Sequence, residues 1–589
     1  MFNDISIDNY KTISSFLNFE FNKDYIESEL QFQNIFAWKE TDNLKLYINH
    51  NYAVLKGKIF CDFFFPPIAK DEKSFSEALS FIENYCYEKS IPILFYAIPE
   101  KFKNYFKNYK LFSQRNYFEY IHLSKDLIEL KGKKYHSKRN HISQFLKTHS
   151  YEFLSYEKKF REDVEKLIDF WNSKNEKTNE KQAIFNILDN LFFLDCFCDC
   201  IFVDNYLCGF AIGFISNNTG IILFEKANIE CTGIYTMLEN LFIKKHFSDV
   251  LYVNRQEDMG KETLRKSKLS YNPEFLAKKY LAVKPLNQQL YNLYSLGFPT
   301  DSTNYKEFFF TEKIKHLKYK LLRKHNLVLS MFFYKEQILN ILNVEFKAKF
   351  ILALTSHINY RKLHLATKLL CSGLNSFSRN TDFVVLNPTS ESFYKKFGFI
   401  TYTTQTNVDF NLFEMNETVD LKEIKAIYDS VVSTFDVYTQ RTNNEFNLWN
   451  LEILSDQGKI YLLKSNNKIA GYTVSFNNIV EEFCLTNQKT SPYSNMIRIC
   501  NVVSVLKQFP YKENFEFSLK INDPVIKKNN ITLKVSHTNG LTLISETIIF
   551  DFEISIEELT ELLVLGKTIK EYSISKYFSI NTTISLDKY

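Results

Sequence analysis

Residues 351–402 constrain the fold more than any other stretch of the chain. A short apolar run is followed by a polar turn, and leucines then recur at helical spacing up to Phe377. Asn387-Pro388 and Gly398 supply the stops of the elements that follow. The pattern predicts strands at 350–354, 383–386 and 399–402 and helices at 365–377 and 390–397. This order predicts an α/β fold with a mostly parallel sheet, in which the first helix begins at a turn suited to an anion.

Two motifs in this stretch resemble the acyl-CoA-binding core of the GNAT superfamily of N-acetyltransferases. Residues 361–366 (RKLHLA) match a turn of the form Arg/Gln-x-x-Gly-x-Gly/Ala, and residues 393–399 (FYKKFGF) match Phe-Tyr-x-x-x-Gly-Phe. In that family the backbone N–H groups of the turn hold the cofactor pyrophosphate. The resemblance implies acetyl-CoA as cofactor, bound by Leu354, Arg361, Leu363, His364, Leu365 and Ala366.

One position departs from the GNAT pattern. His364 stands where the family usually has glycine, and a side chain there crowds the approach of a phosphate to the backbone. The alternative interpretation is therefore a βαβ unit that kept its shape and lost its ligand.

Bulk properties exclude several classes of protein. A chain of 589 residues predicts several domains, and a net charge of +5 is too weak to indicate nucleic-acid binding by the whole chain. Ten cysteines do not form a disulfide framework. Cys196, Cys198 and Cys200 alternate along a predicted strand without zinc-ligand spacing, so we expect core thiols and no metal. No apolar run of about 18 residues appears, and we expect a soluble, cytoplasmic, bacterial protein without stable membrane insertion.

The order of predicted elements divides the chain into five units. Residues 1–120 read as an α/β scaffold unit, in which residues 35–39 are predicted to be a strand. Residues 121–283 form a second α/β unit with three strands, a helix and a further strand. The remaining predicted units are 284–410 with the acyl-CoA motifs, a degenerate GNAT-like unit at 411–510, and a sterol-carrier-like α+β domain at 511–589.

Four separated motifs in residues 1–283 resemble the C-terminal domain family of phosphatidylglycerol lysyltransferases. They are residues 138–141 (KRNH), 225–227 (EKA), 254–260 (NRQEDMG) and 268–273 (KLSYNP). The family's fold is a tandem pair of acetyltransferase-like units, and its characterised members move an aminoacyl group from tRNA to a lipid headgroup.

This second resemblance implies a second candidate site. Its members are Lys138, Arg139, Asn140, Glu225, Lys226, Asn254, Arg255, Asp258, Lys268 and Tyr271. The basic residues suit a tRNA 3′ end or a lipid phosphate, and the others lie at predicted strand ends, where ligands gather in open α/β sheets. A solvated helix start and buried structural ion pairs would produce the same residues.

Residues 284–589 together resemble the enhanced-intracellular-survival acetyltransferases, which have two acetyltransferase-like units and a sterol-carrier-like tail. That resemblance implies Tyr394 as general acid and the α-carboxylate of Tyr589 as base. The alternatives are a Tyr394 ring that only packs on Phe393 and Phe397, and a frayed terminus at Tyr589.

Three functional hypotheses remain open from the sequence. The first is a GNAT-type N-acyltransferase that moves an acetyl group from CoA to a small-molecule amine or a peptide. The second is an aminoacyl-tRNA-dependent aminoacyl (lysyl) transferase, acting through residues 1–283 on a lipid or another acceptor. The third is a non-catalytic binding protein with decayed GNAT folds. An oligomer is compatible with each hypothesis.

Overall fold

The computed structural model describes residues 2–174, 180–405, 408–477, 479–488, 491–567, 577–578 and 580–588. It divides into two compact units, Met1–Pro285 and Leu286–Tyr589. Both units are α/β, with sheets covered by helices. Among the described residues, no helix combines the length and apolar character that a bilayer crossing requires.

The first unit contains two sheets. Its strands are β1 (Asn3–Asp4), β2 (Lys45–Ile48), β3 (Tyr52–Lys58), β4 (Asp62–Phe64), β5 (Ile68–Ala69), β6 (Leu94–Pro99), β7 (Lys110–Ser113), β8 (Glu119–Leu123), β9 (Tyr151–Ser155), β10 (Cys196–Val203), β11 (Tyr206–Ser216), β12 (Thr219–Ala227), β13 (Tyr252–Asn254), β14 (Phe275–Ala277) and β15 (Lys279–Val283). Its helices are α1 (Asn9–Leu17), α2 (Phe32–Trp38), α3 (Glu72–Glu88), α4 (Ser124–Glu129), α5 (His136–Thr148), α6 (Arg161–Lys174), α7 (Glu180–Leu188), α8 (Ile234–His246) and α9 (Glu262–Leu269).

The chain of the first unit forms most of the first sheet, then the second sheet, and finally returns to the first sheet. The first sheet runs β1-β2-β3-β4-β6-β15-β7, with β5 beside β3, and the second runs β14-β8-β13-β12-β11-β10-β9. Strand β15 comes last in the sequence of this unit but pairs with β6 and β7. The predicted strand at 35–39 is wrong. These residues lie mostly in α2, because Phe32, Ile35 and Phe36 recur at helical spacing and bury one face.

The second unit contains three sheets. Its strands are β16 (Lys318–Lys324), β17 (Leu327–Ile341), β18 (Val344–Ser356), β19 (Phe383–Leu386), β20 (Ile400–Thr403), β21 (Glu414–Glu417), β22 (Val437–Thr439), β23 (Lys459–Ser465), β24 (Lys468–Phe476), β25 (Ile479–Leu485), β26 (Asn495–Ile499), β27 (Phe515–Asn522), β28 (Thr532–Thr538), β29 (Leu541–Glu546) and β30 (Phe552–Ser555). Its helices are α10 (Leu286–Gly297), α11 (Thr303–Thr311), α12 (Leu365–Phe377), α13 (Glu391–Lys395), α14 (Leu421–Val432), α15 (Asn443–Ser455), α16 (Val502–Gln508) and α17 (Ile556–Leu565).

The third sheet of the chain carries the acyl-CoA motifs. It runs β16-β17-β18-β19-β26-β20, with β22 beside β17, and the two further sheets run β21-β23-β24-β25 and β29-β28-β27-β30. The prediction of a mostly parallel sheet is wrong, since within the described sheet only β18 and β19 pair in parallel. Strand β26 comes from inside the predicted unit 411–510, yet it lies between β19 and β20.

The apolar core of the second unit spans sheet boundaries. Phe383 and Val385 of β19 pack in one buried cluster with Leu519 of β27 and Leu563 of α17. The α+β segment that ends the chain therefore buries its apolar face against the sheet that carries the acyl-CoA motifs.

Candidate active sites

Each half of the chain contains a pair of neighbouring parallel strands of unequal length. In the first unit, β12 pairs with β13 only from Thr219 to Ile221 and then continues to Ala227. In the second unit, β18 pairs with β19 only from Ala348 to Ile351 and then continues to Ser356. Each longer strand exposes backbone groups beyond the end of its neighbour, and ligands of open α/β sheets gather at such points. We call these places the α8 cleft and the α12 cleft, after the helix that follows each longer strand.

A β-bulge shapes the strand of the α12 cleft. Met331 pairs with Thr355 and Phe333 with Leu352, so Ala353 and Leu354 together face one residue of β17. Ala353 has a φ of 52°, which places it in the left-handed region. A bulge bends the strand and redirects its amides. Leu354, predicted to contact the cofactor, lies at this bend with its side chain partly buried against the core.

The turn before α12 is open to solvent. Arg361, Leu363 and His364 are exposed, and the Leu365 side chain is buried. His364 is the N-cap residue of α12 at a φ of 56°, and its imidazole makes no capping hydrogen bond. Within the described part of the chain, the N–H groups of Leu365 and Ala366 have no backbone acceptor. The turn thus leaves free donors at the start of α12, of the kind that bind anions.

Tyr394 lies on the short helix α13, where its ring packs against other aromatic rings and its hydroxyl stays protonated. Its ring packs edge-on against Phe393, with centroids 5.0 Å apart, and lies near Phe399. Its hydroxyl makes no hydrogen bond with the described residues. Burial raises the pKa of Tyr394 to about 12, so the phenol stays protonated at neutral pH.

A buried arginine fixes the end of α13. The Arg498 guanidinium, on β26, donates to the carbonyl of Phe397 and forms a 2.6 Å ion pair with Asp523. Both charged side chains are fully buried. Gly398 follows at a φ of 81°, as the sequence predicts for the stop after α13. The position of Tyr394 therefore depends on β26, which is distant in sequence.

Tyr589, the predicted base, lies outside the described residues. The segment before it is buried along β26. Asn495 donates from Nδ2 to the Asp587 carbonyl at 2.8 Å and to the Ser585 hydroxyl at 2.7 Å. The described residues just before Tyr589 therefore contact the sheet that carries the α12 cleft.

The α8 cleft holds buried charges instead of an open turn. Arg255 follows β13, and its Nε lies 2.6 Å from Oε1 of Glu239 on α8. The Arg255 guanidinium lies 4.1 Å from the ring centroid of Tyr271, and the Lys138 ammonium lies 3.6 Å from the same centroid. Glu225 on β12 completes the group, since the charges of Glu239 and Arg255 both act on its carboxyl. Four of the predicted residues therefore come together here, with Glu239 as an addition.

Four polar atoms of this cluster are buried without a hydrogen-bond partner among the described residues. They are Oε1 of Glu225, Nη1 of Arg255, and both carboxylate oxygens of Glu239, which is nevertheless ion-paired with Arg255. Burial, followed by the nearby charge of Glu239, raises the pKa of Glu225 to about 8. Burial and the Arg255 charge lower the pKa of Lys138 to about 8. Perturbed groups with unused hydrogen-bonding capacity, in a cleft at the end of a strand, are typical of a ligand site.

His122 is a further member that the sequence does not indicate. It lies on β8 and is almost fully buried, and neither ring nitrogen forms a well-aligned hydrogen bond with the described residues. Burial and the neighbouring Arg255 charge lower its pKa to about 3, so the imidazole is neutral. No motif surrounds His122 or Glu239 in the sequence, and only the packing of β8 and α8 brings them to Arg255.

Two predicted lysines lie at the border of the cluster and are already paired. The Lys226 ammonium lies 2.5 Å from Glu180 and 3.6 Å from the ring centroid of Trp171. The Lys268 ammonium donates to the carbonyls of Arg255 and Glu257. Burial lowers the pKa of Lys268 to about 8. Lys268 thereby fixes the turn that positions Arg255.

The other predicted residues make structural contacts away from the cleft. Asp258 accepts hydrogen bonds from Arg115, Tyr120 and Arg265, which hold its pKa well below its usual range despite burial. Asn254 donates to the Ile26 carbonyl and to Glu119, Arg139 donates to the carbonyls of Leu130 and Gly132, and exposed Asn140 lies 3.2 Å from His136.

A separate group of carboxylates lies near Asn254. Ligand atoms of Glu29, Glu119 and Glu257 come within 4.8 Å of one another. The buried Lys279 ammonium lies 3.0 Å from Glu119 and also forms an ion pair with Glu29. A lysine already occupies the position that a cation would take.

The start of α8 differs from the start of α12. Gly233 opens α8 at a φ of 87°, and a Cβ at this position would lie 2.3 Å from the carbonyl oxygen of His141. The backbone of α5 therefore packs against the N-cap residue of α8. The helix start of the α12 cleft is exposed, whereas α8 begins at a residue that is closed off on one side by α5, beside buried charges.

Comparison with known families agrees with the two-part construction. Residues 24–283 match the family model described as "Phosphatidylglycerol lysyltransferase, C-terminal", and residues 286–401 match that described as "Acetyltransferase (GNAT) domain". Each half of the chain thus matches the model of a different acyltransferase family, as the sequence predicts.

An individual relative matches only part of the chain. An uncharacterised protein of Mycoplasmoides gallisepticum is 29% identical over 185 residues, which cover 28% of this chain and 54% of the relative. The match thus spans about half the length of that relative.

One similar solved structure is that of a conserved protein of unknown function from Bacteroides thetaiotaomicron. It is 25% identical, the match covers 48% of this chain and 99% of that chain, and the TM-score is 0.45. A GCN5-related N-acetyltransferase from Anabaena variabilis matches at 14% identity, 51% of this chain, 97% of that chain and a TM-score of 0.41. L-PGS from Bacillus licheniformis matches at 14% identity, over 48% of this chain and 95% of that chain, with a TM-score of 0.37. These TM-scores are low, so the strand order and the family models carry the fold assignment.

Proposed function

We propose that the two halves transfer acyl groups from two different donors. The observation that carries this proposal is the contrast between the helix starts. The N-cap residue of α12 is exposed and is followed by free N–H groups, whereas the N-cap residue of α8 packs against the His141 carbonyl and Thr236 behind it is buried. A diphosphate needs an accessible set of backbone donors. The α12 cleft therefore takes acyl-CoA, and the α8 cleft takes a donor without a diphosphate at the helix start.

In the α12 cleft, this chain's residues supply three contributions to N-acyl transfer. The turn after Arg361 binds the pyrophosphate through its backbone donors, and the bulge at Ala353 directs β18 amides at the thioester carbonyl. Tyr394, protonated at neutral pH, gives its proton to the sulfur that leaves. The attacking amine forms the new C–N bond as the C–S bond breaks. The acyl donor, acetyl-CoA in the simplest case, supplies the activated carbonyl.

In the α8 cleft, the buried cluster suits an aminoacyl group. An α-ammonium can fill the free hydrogen-bonding position at Glu225 Oε1, and Arg255 Nη1 can donate to the carbonyl of the same group. Aminoacyl-tRNA is the donor that presents such a group in activated form. The acceptor is a hydroxyl or an amine, of a lipid or another molecule, and its oxygen or nitrogen displaces the tRNA ester oxygen.

Calorimetric titration with acetyl-CoA tests the first assignment. We expect saturable heat that Arg361→Glu reduces at least tenfold, because the substitution places a negative charge beside the pyrophosphate. Arg379→Glu is the matched control, since Arg379 is exposed just beyond the opposite end of the same helix. Equal affinity in all three proteins, or no heat in any, contradicts acyl-CoA binding in the α12 cleft.

Amino acid amides test the second assignment, because alaninamide carries only an α-ammonium and Nα-acetyl-lysinamide only an ε-ammonium. We expect alaninamide and lysinamide to bind the full chain. Glu225→Gln should weaken this binding, because glutamine cannot ionise when the ammonium enters. Glu157→Gln, at a largely exposed carboxylate, is the control. Binding of Nα-acetyl-lysinamide alone would contradict recognition of the α-ammonium. Turnover of lysyl-tRNA or alanyl-tRNA by the wild-type chain would then identify the aminoacyl group.

A further inference from the structure

Two cysteines beside the α8 cleft lie in direct contact. Sγ of Cys231 is 3.6 Å from Sγ of Cys208. Cys208 is buried on β11, and Cys231 is partly exposed in the loop between β12 and α8. Both are free thiols, and their two chain segments are separated by the whole of β12.

The backbone already holds the two segments together. The N–H of Asn228 donates to the Cys208 carbonyl at 2.7 Å, and the N–H of Cys231 donates to the Asn228 carbonyl at 3.1 Å. The Cys231 carbonyl in turn accepts from Ile234, the first residue of α8. A disulfide needs an S–S distance of about 2.05 Å. The bond therefore requires the two sulfur atoms to approach from 3.6 Å to that distance.

We propose that Cys208 and Cys231 form a reversible disulfide that fastens the start of α8 to β11. The oxidant is a small disulfide such as oxidised glutathione. Cys231, the more accessible thiol, attacks one sulfur as its thiolate and releases a glutathione thiolate. Cys208 then attacks Sγ of Cys231 and releases the second thiolate. Two electrons pass from the cysteine pair to the glutathione disulfide, and the two cysteine protons go to the released thiolates.

The crosslink acts on the wall of the α8 cleft. The loop 228–233 joins β12, which carries Glu225, to α8, which carries Glu239. Fastening this loop to β11 restricts the separation of the two carboxylates that an entering group requires. The crosslink itself does not depend on the proposed donor, but its effect on aminoacyl binding rests on the proposed function.

Burial sets the rate of the closing step. It raises the pKa of Cys208 to about 12, so the thiolate is scarce at neutral pH. The thiolate fraction rises about tenfold per pH unit below that pKa. Closure should therefore accelerate with pH, and the acceleration should continue beyond the pH at which an ordinary cysteine is fully ionised.

The test oxidises the full chain with glutathione disulfide and maps peptides by mass. We expect loss of two hydrogens and a peptide pair joined through Cys208 and Cys231, reversed by dithiothreitol. Cys208→Ser should stop at a glutathione adduct on Cys231, and Cys371→Ser should behave as wild type. Cys371 is the matched control because it is also partly exposed and, among the described residues, contacts no second thiol. Wild type that stays reduced, or stops at the adduct, overturns the proposal.

Two further measurements separate the crosslink from the function. Oxidation should raise the melting temperature of the wild type on the order of 5 °C and slow amide exchange in residues 228–236, and neither effect should appear in Cys231→Ser. Unchanged exchange in the crosslinked protein overturns the fastening of α8. If neither redox form binds alaninamide while the crosslink forms, the aminoacyl assignment fails and the disulfide stands.

Discussion

Replacing Glu225 by glutamine should stabilise the first unit, and increasingly so as the pH rises. In the folded chain the pKa of Glu225 is about 8, against 4.5 for an ordinary glutamate. Between these values the folded state keeps a proton that the unfolded state releases. The stability of the neutral carboxyl is therefore fully present below about pH 4.5 and is lost as the pH approaches 8. Glutamine keeps the neutral shape and does not titrate.

The magnitude follows from the size of the shift. One proton difference gives a slope of about 1.4 kcal/mol per pH unit. Between pH 5.5 and 7.5, the advantage of Glu225→Gln over wild type should therefore grow by about 3 kcal/mol. Glu157→Gln should show no such growth, because that carboxylate is largely exposed.

Urea unfolding at several pH values measures this effect in the full chain. Of the three tryptophans, Trp38 and Trp171 lie in the first unit and Trp449 in the second. A Trp449→Phe background therefore makes tryptophan fluorescence a report on the first unit alone. A difference between Glu225→Gln and its parent that stays constant within about 0.5 kcal/mol across this range would refute the buried, protonated carboxyl.

Three further substitutions test the two clefts. Tyr394→Phe should lower acetyl transfer by about 100-fold and leave acetyl-CoA affinity nearly unchanged, measured by kinetics and calorimetry; unchanged turnover removes the phenol from the reaction. His364→Gly should increase acetyl-CoA affinity several-fold in the same titration, because it relieves a φ of 56° and opens the phosphate approach, and weaker binding would contradict this. Gly233→Ala should destabilise the chain by about 2 kcal/mol more than Gly132→Ala, measured by urea unfolding. Both glycines have a φ of 87°, but only a Cβ at Gly233 would collide with His141. Equal losses of stability in the two variants would refute the packing of α5 against the start of α8.

Local pattern was sufficient for the elements that build the α12 cleft. Leucine spacing predicted α12, and Gly398 at a φ of 81° ends the helix turn where the sequence indicated. These features depend on residues within a few positions of one another. The position of β26 depends instead on pairing between segments about 100 residues apart, which no periodicity reports. The same limitation produced the wrong expectation of a mostly parallel sheet.

The sequence motifs identified the region of the α8 cleft, but they did not distinguish the residues that face the cleft from those that make structural contacts. Arg255 and Asp258 are three residues apart in one motif, yet Arg255 faces the cleft while Asp258 joins Arg115 and Arg265 in a structural ion-pair group. The difference arises from the direction of each side chain after the end of β13. Glu239, the partner of Arg255, lies in a helix whose sequence reads as ordinary, so only the tertiary structure reveals it.

The insertion of β26 between β19 and β20 has a consequence for synthesis on the ribosome. When the nascent chain has emerged as far as β20, the turn at His364 and the phenol of Tyr394 are already present. The strand that must separate β19 from β20, and the arginine that ends α13, have not yet been translated. A message interrupted before Asn495 would therefore yield a polypeptide that contains every acyl-CoA motif but lacks the strand that joins β19 to β20.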